Sequence, residues 1–235
     1  MKVVILAGGR GVRMRPLTYT VPKPLLPIGE KPILEIIIEN LRSQGFVEFI
    51  LAVGYRAELI ETYFRDGSQL GVSINYVREA EPRGTAGALA LVRQAHDFAA
   101  GESILVVNGD ILTKLDFHRL LGFHEEGSWD MTVAARRYES QLPYGVLRLD
   151  GERVLGIREK PLSAADVSAG IYVLRAEVLA QVPEGVPFDM PDLVAKLLDS
   201  GQRVGACRVT EFWMSLDHVG HLEEAGQALA VWSEP

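Results

Sequence analysis

Near the N-terminus, Gly8-Gly9-Arg10-Gly11-Val12-Arg13-Met14-Arg15-Pro16-Leu17-Thr18 follows directly on an apolar run, with Lys23-Pro24 a few residues on. Glycines let backbone N–H groups approach an anion without a Cβ in the way. The first 31 residues carry Lys2, Arg10, Arg13, Arg15, Lys23 and Lys31 against one acid, Glu30, in a chain of net charge −7. A local site for a small polyanion is one reading of this segment, and a solvated basic surface is the other. Two familiar phosphate loops do not fit. A dinucleotide fingerprint needs a third glycine where Met14 stands and an acid about 20 positions on, where Lys23 and Pro24 lie. A P-loop needs Gly-Lys-Ser/Thr, which occurs nowhere. Further on, Val106-Val107-Asn108-Gly109-Asp110 sets an acid just past an apolar run. An Asp there is often only a helix N-cap, yet open α/β sheets bind ligands at that same end of their strands.

The elements that must position these residues alternate. Residues 2–7 (KVVILA), Phe46 to Val53, Val72–Val77 and Ser103–Asn108 read as strands buried on both faces. Helical segments lie between them at Ile33 to Gln44, Ala57–Arg65 and Ala86–Ala99, which implies βαβ units and a parallel sheet. Trp129–Arg136, Val167–Leu174 and Val204–Val209 predict further strands, and Val146–Leu149 with Val154–Ile157 flanks Asp150-Gly151 as a hairpin. Helices are expected near Ala176–Gln181, Met190–Ser200 and Val219–Trp232. His118, His124 and His221 read as exposed helix residues without metal-ligand spacing.

At 235 residues one large α/β domain is the natural prior. No run of about 18 apolar residues exists, so no membrane span is expected. The short apolar start, followed at once by glycines and arginines, suits a first strand better than a signal peptide. One cysteine, Cys207, permits no internal disulfide and no thiol cluster for zinc, and makes the cytoplasm the default compartment. The acidic balance argues against polymeric nucleic acid as a partner.

The loop motif, read as G-G-x-G-x-R-(L/M)-x-P-L-T followed by K-P, resembles that of the sugar-1-phosphate nucleotidyltransferases. Glu81-Pro82-Arg83-Gly84-Thr85-Ala86-Gly87 is similar to the family's base- and ribose-contacting segment, and Tyr144-Gly145 and Glu159-Lys160-Pro161 to its sugar-side motifs. Alone, Glu-Lys-Pro is more often a surface turn; its place in an ordered series of matches reverses that. The resemblance runs from Lys2 to about Ala225. Within the family, residues 108–114, 143–146 and 188–191 look most like mannose-1-phosphate and surface-sugar guanylyltransferases.

The resemblance implies a three-layer α/β/α sandwich with a mixed, mostly parallel sheet, Rossmann-like, in a single domain over 1–235. Its first half, to about residue 125, would hold the nucleotide, and 126–235 the sugar phosphate. It implies transfer of a nucleoside monophosphate from an NTP, GTP favoured, to a sugar 1-phosphate with release of pyrophosphate. Attack would be direct and in line, since no nucleophile–base pair is evident. Catalytic roles fall to Arg13, Lys23, Asp110 and Lys160. Leu6, Ala7, Gly8, Gly9, Gly11, Arg13, Lys23, Glu81, Gly84, Thr85, Asn108 and Gly109 would bind nucleotide. Tyr144, Gly145, Glu159, Lys160, Ser168 and Gly170 would bind sugar phosphate. Such chemistry rests on alignment and on cations that offset charge at the transferred group. Arg13 is a bidentate donor for the β/γ-phosphates, and Lys23 a point charge near the α-phosphate. Mg²⁺ would be held by Asp110. Relatives suggest a homodimer.

Two departures stand out. The family's W-x-D-I-G becomes Trp213-Met214-Ser215-Leu216-Asp217, with Ser215 at the second metal-ligand position. Asp217, two residues on, would face the same side in a strand and take over part of that role. Ser168 replaces the family's Asn before Ala169-Gly170. Both changes also suit a regulatory paralogue that binds nucleotide without turnover. Retention of Arg13, Lys23, Asp110 and Lys160 together favours the enzyme. A glycosyltransferase with a related fold would show Asp-x-Asp at the fourth strand's end, where only Asp110 stands.

Overall fold

The computed structural model describes residues 1–232. Strand β1 (Lys2–Ala7) leads through a loop of 3₁₀ turns and a small ribbon, β2 (Pro27–Ile28) and β3 (Lys31–Pro32), into helix α1 (Ile33–Ser43). Then come β4 (Glu48–Val53), α2 (Ala57–Phe64), β5 (Ser73–Arg78), α3 (Gly84–Ala95), β6 (Ser103–Asn108), β7 (Ile111–Thr113) and α4 (Phe117–Glu126). The remainder comprises β8 (Met131–Gln141), a hairpin of β9 (Val146–Asp150) and β10 (Arg153–Arg158), β11 (Leu162–Arg175), α5 (Met190–Asp199), β12 (Val204–Arg208), β13 (Trp213–Ser215) and α6 (Gly220–Trp232). No helix among the described residues is long and apolar enough to cross a membrane.

Seven strands form one sheet in the order β12-β8-β11-β6-β1-β4-β5. Strands β6, β1, β4 and β5 are parallel neighbours, β12 is parallel to β8, and β11 runs antiparallel to both β6 and β8. Only β11 therefore opposes the common direction. Both sequence halves contribute to this sheet, since β6 pairs with β1 on one side and β11 on the other.

Alternation along β1 sets the layers, because successive side chains point to opposite faces. Val3, Ile5 and Ala7 enter one core with Leu34, Ile38 and Leu41 of α1, Phe64 of α2 and Phe117 of α4. Val4 faces the other, with Leu89 and Val92 of α3 and Leu193 and Leu197 of α5. Burying each such side chain contributes roughly 1.5–3 kcal/mol. Helices on both faces of the sheet make the arrangement a three-layer α/β/α sandwich.

The structure adds the short strands β2, β3, β7 and β13, which the sequence reading does not give, ends α3 at Ala95 rather than Ala99, and differs from that reading elsewhere too. Strands β8 and β11 run several residues longer, through Arg137–Gln141 and Leu162–Asp166, where side chains on both faces are exposed and the apolar pattern lapses. The segment Ala176–Gln181 is a 3₁₀ rather than an α-helix. His124 is fully buried, on the α4 stripe that includes Phe117 and Leu120, and its Nδ1 lies 2.9 Å from Thr132 Oγ1. Burial pushes its pKa below the usual histidine value.

Candidate active site

The parallel strands leave a crevice where the order reverses, between the C-terminal ends of β1 and β6, the place where open α/β sheets take ligands. Beyond β1 the glycine-rich loop curls over it. Gly11 adopts φ +57°, and a Cβ there would lie 2.9 Å from Thr18 Cγ2 and 3.0 Å from Lys23 Cβ, so only glycine closes the turn. The Thr18 hydroxyl donates to the Gly11 carbonyl at 2.8 Å, and buried Met14 anchors the loop's far side. From the end of β4, Tyr55 N–H donates to the Gly8 carbonyl at 3.2 Å. The Tyr55 hydroxyl lies 3.1 Å from the Thr18 and Tyr19 carbonyls. The loop is thus held at both ends before any ligand enters.

The charged end of the crevice is built by β6, β7 and β13. Gly109 N–H donates to the Leu6 carbonyl at 2.9 Å, which fixes the turn carrying Asn108 and Asp110 against β1. Strand β13 pairs antiparallel with β7, Ser215 opposite Ile111, and Leu216 N–H donates to the Asp110 carbonyl at 3.0 Å. That register brings Asp217 back over the Asp110 turn. Two ion pairs result: Lys23 Nζ with Asp110 Oδ2, and Arg13 Nη2 with Asp217 Oδ1 at 2.7 Å. Lys23 is mostly buried, whereas the Arg13 side chain is 75% exposed. Ser215 Oγ donates to Asp217 Oδ2 at 2.9 Å, and Asp217 N–H donates to His221 Nδ1 at 3.0 Å. Ser215 therefore orients the carboxylate that stands two residues beyond it.

The opposite end is built by the turn after β5. Glu79 lies against Gly8, so closely that a Cβ on Gly8 would fall 2.1 Å from Glu79 Oε1. Its Oε2 accepts from Arg83 N–H at 3.0 Å. Burial outweighs that bond and raises the carboxyl's pKa above the usual range. Nearby, Thr85 N–H donates to Asp189 Oδ1 at 2.7 Å, and the Thr85 hydroxyl accepts from Met190 N–H at 2.8 Å. The cap of α5 is thereby stitched to the start of α3.

Together these elements enclose a cleft of about 360 Å³, within the range of small-ligand sites. Every residue that the sequence reading assigned to the nucleotide lines it, except Glu81, and both predicted metal carboxylates, Asp110 and Asp217, line it too. Glu81 is exposed and does not line the cleft, whereas Glu79 does. Pro82 and Arg83, of the segment likened above to the base- and ribose-contacting one, also line the cleft, as does Asp189, to which the sequence reading gave no role. Glu79 lies two residues past the strand read at Val72–Val77 and carried no distinguishing signal, and Asp189 lies 104 residues from its partner Thr85. Among the described residues no cluster of three or more His, Cys, Asp or Glu side chains is placed to hold a metal.

The predicted sugar-side residues are brought together, but not into this cleft. Lys160 N–H donates to the Tyr144 carbonyl at 3.2 Å, and Glu159 Oε2 packs on Gly145, all at the root of the β9–β10 hairpin. Tyr144, Glu159 and Lys160 are exposed there. Ser168 spends its hydroxyl on Tyr172, 2.9 Å away. Gly170 does not line the cleft but abuts a residue that does: at φ +72° in a bulge of β11, its Cβ position lies 2.7 Å from Nδ2 of cleft-lining Asn108. Asn108 Oδ1, buried beside it, has no hydrogen-bond partner among the described residues.

A family profile described as nucleotidyl transferase matches residues 2–230. The chain is 34% identical to a UTP–glucose-1-phosphate uridylyltransferase of Synechocystis sp., over 93% of this chain and 61% of that protein. It is 35% identical to a mannose-1-phosphate guanylyltransferase of Mycobacterium tuberculosis, over 91% and 60%. It thus spans about three-fifths of the length of these relatives. Among solved structures, HddC from Yersinia pseudotuberculosis superposes with a TM-score of 0.76 at 24% identity, covering 97% of this chain and 99% of that one, which shows a shared fold. With the profile matching nearly end to end, the chain belongs to the nucleotidyl transferase family.

Proposed function

We propose that the chain transfers a nucleoside monophosphate from a nucleoside triphosphate to a sugar 1-phosphate, forming a nucleoside-diphosphate sugar and pyrophosphate. The observation that carries this reading is the meeting, in one cleft, of a pre-formed glycine loop with two cation–carboxylate pairs, Lys23–Asp110 and Arg13–Asp217. An oxygen of the sugar phosphate forms a bond to the α-phosphorus. The bond from that phosphorus to the α–β bridging oxygen breaks, and pyrophosphate leaves with the electron pair. Both reactants are anions, so the chain's task is to align them and offset charge. Lys23, held by Asp110, would meet the α-phosphate, and exposed Arg13 the β- and γ-phosphates. Among the described residues no Ser, Cys or His lines the cleft, and the Thr85 hydroxyl is engaged by Asp189 and Met190, which supports direct attack.

Magnesium fits the donor set. Two carboxylates with hard oxygens face one cleft, and Mg²⁺ commonly takes one or two carboxylates, with waters and substrate phosphates completing its shell. When bound by Asp110 and Asp217 it would neutralise charge on the phosphate oxygens. Glu79 supports GTP as donor. A carboxylate is acceptor-only, and guanine offers two adjacent donors, N1–H and N2–H₂, on one edge. Similar relatives are named for both uridylyl and guanylyl transfer, so the donor must be argued from such residues. The acceptor sugar would lie toward Asn108 and Gly170, with Tyr144, Glu159 and Lys160 approaching from the hairpin root. The division of labour between the halves is then uneven, because Asp189 and Asp217 reach the nucleotide cleft from the second.

The test is pyrophosphate release with Mg²⁺ across five nucleoside triphosphates and a panel of sugar 1-phosphates. Release that needs both substrates supports the reading. Nucleotide binding without turnover on any acceptor would instead indicate a regulatory paralogue.

A further inference from the structure

Among the described residues the half-buried arginines are Arg56, Arg83, Arg93, Arg136 and Arg175. Four of these guanidinium groups have a partner: the Tyr19 carbonyl for Arg56, Glu184 for Arg93, the Glu211 carbonyl for Arg136 and Glu125 for Arg175. Arg83 is the exception. It lines the cleft at the end away from Lys23 and Asp110, and no hydrogen bond or ion pair to a described residue holds its guanidinium. Its backbone, by contrast, is fixed on both sides. The N–H donates to Glu79 Oε2 at 3.0 Å, and the carbonyl accepts from Phe188 N–H at 2.8 Å. A Cβ on Gly87 would fall 2.7 Å from the Arg83 Cβ, so a bare glycine makes room for the start of this side chain.

Stability does not explain an arginine at this place. Arg83 holds the N-cap position of α3 without a side-chain cap bond, where helices favour Ser, Thr, Asp or Asn and where the helix dipole disfavours a cation. Asp189 does the capping instead, accepting from Thr85 N–H at 2.7 Å. The neighbours indicate what the free guanidinium is for. Glu79, which accepts from the N–H of Arg83 itself, is the acceptor proposed above for guanine N1–H and N2–H₂. Round the edge of the same base follow O6 and N7, two adjacent acceptors that a planar guanidinium matches with two parallel donors. Adenine puts a donor, its N6 amino group, where guanine has O6. A pyrimidine has no N7 at all.

We propose that Arg83 is a specificity-determining residue, donating both arms of its guanidinium to O6 and N7 of a guanine whose N1 and N2 donors face Glu79. The inference rests on the GTP reading given above and extends it. Glu79 alone selects against bases that lack two adjacent donors, whereas Glu79 and Arg83 together read two donors followed by two acceptors. That pattern rejects ATP as well as UTP. The contact forms when nucleotide binds, so it can be tested without turnover.

The experiment is calorimetric titration of the full chain with GTP, 7-deaza-GTP, ATP and UTP, with Mg²⁺ and no acceptor sugar. 7-Deaza-GTP carries carbon in place of N7 and should bind the unaltered chain about tenfold more weakly than GTP, the loss of one hydrogen bond to a charged donor. Arg83→Met should weaken GTP by roughly 5–150-fold, bind GTP and 7-deaza-GTP alike, and leave UTP within about twofold. Arg83→Lys keeps the charge without the planar fork and should show most of the same loss. Equal binding of GTP and 7-deaza-GTP by the unaltered chain would overturn the proposal without any variant. So would a Met variant that weakens every triphosphate alike, or a Lys variant that binds GTP as the unaltered chain does, since a charge that only attracts phosphate behaves so. A chain that prefers GTP but is indifferent to N7 keeps the donor and loses Arg83; one without a preference for GTP loses both. If the N7 dependence holds and pyrophosphate release fails, Arg83 stands and the reaction does not.

Discussion

Glu79→Gln is the substitution that probes donor choice. It keeps size and shape, and Gln can still accept from Arg83 N–H, now 3.0 Å from Glu79 Oε2. It also replaces one acceptor oxygen by an NH₂ donor, which would face a guanine donor. Hydrogen bonds to charged groups are worth about 1.5–3 kcal/mol, and a good bidentate pair discriminates between bases by about 1–3 kcal/mol. The expected loss in kcat/KM for GTP is therefore roughly 5–150-fold. UTP, whose base offers one donor on that edge, should be affected far less. Inosine triphosphate sharpens the assay because it lacks the N2 amino group. The unaltered chain should prefer GTP over it by about tenfold, one hydrogen bond's worth, and the variant should lose that preference. Stability should move the other way. Burial raises the Glu79 pKa, so the folded state binds more protons than the unfolded state between the ordinary and the raised value. Stability then falls as pH rises through that window, and at neutral pH the free protein carries the whole penalty. The Gln variant should melt higher at pH 7 and nearly alike at pH 4. An equal loss with every triphosphate, an unchanged GTP/ITP ratio, or a lower melting temperature at pH 7 would each refute the reasoning.

Removing the buried cation, Lys23→Ala, should lower kcat/KM by about 10²–10³, the scale of losing one preorganised charge at a transferred group; a loss under tenfold in pyrophosphate release would dismiss its role. Asp217→Ala should raise the half-saturating Mg²⁺ concentration with little change in melting, because partly exposed ion pairs such as Arg13–Asp217 are worth about 0–1 kcal/mol. Wild-type Mg²⁺ dependence in that variant would remove Asp217 from the metal site. Gly170→Ala meets both a left-handed backbone and Asn108 Nδ2 at 2.7 Å, so calorimetry should show a loss of at least 1–2 kcal/mol, roughly 2–8 °C. For His124, whose pKa burial lowers, the unfolded state binds the extra proton; stability should fall as pH drops below about 6.5 and His124→Gln should flatten that dependence in denaturant titrations.

What the sequence could and could not reveal follows from the range of the forces involved. Ser103–Asn108 was legible to the residue because a strand buried on both faces is an unbroken apolar run between polar stops. The Asp150-Gly151 turn announced its hairpin for a local reason as well. The burial of His124 was available in the spacing of Phe117, Leu120 and His124, three and then four apart, but the polarity of histidine outweighed the periodicity. Glu79 and Glu81 could not be told apart by spacing. Glu79 N–H still donates to the Val53 carbonyl, continuing the ladder past β5, and so its side chain is aimed by the sheet, while Glu81 lies beyond the last such bond. Strand ends are where local patterns are weakest. Asp189 and Thr85 meet only because α3 and α5 share one face of the sheet, a fact of tertiary packing.

The site's two ends are built on different mechanical foundations, and this bears on how its specificity is set. In the proposed function, phosphate chemistry rests on the ends of β1 and β6, strands whose side chains are among the most buried of the described residues and whose turns are tied together by Gly109 N–H to the Leu6 carbonyl. Such placement supplies the fixed geometry that electrostatic stabilisation of a transferred group requires. Recognition of the acceptor, by the proposed function, falls partly to Tyr144, Glu159 and Lys160, which stand at the root of the exposed β9–β10 hairpin. Elements with few buried contacts open at low free-energy cost, so the hairpin holds those residues loosely and the bound sugar phosphate must order them. Substitutions within the hairpin should therefore raise KM for the sugar phosphate more than KM for the nucleotide.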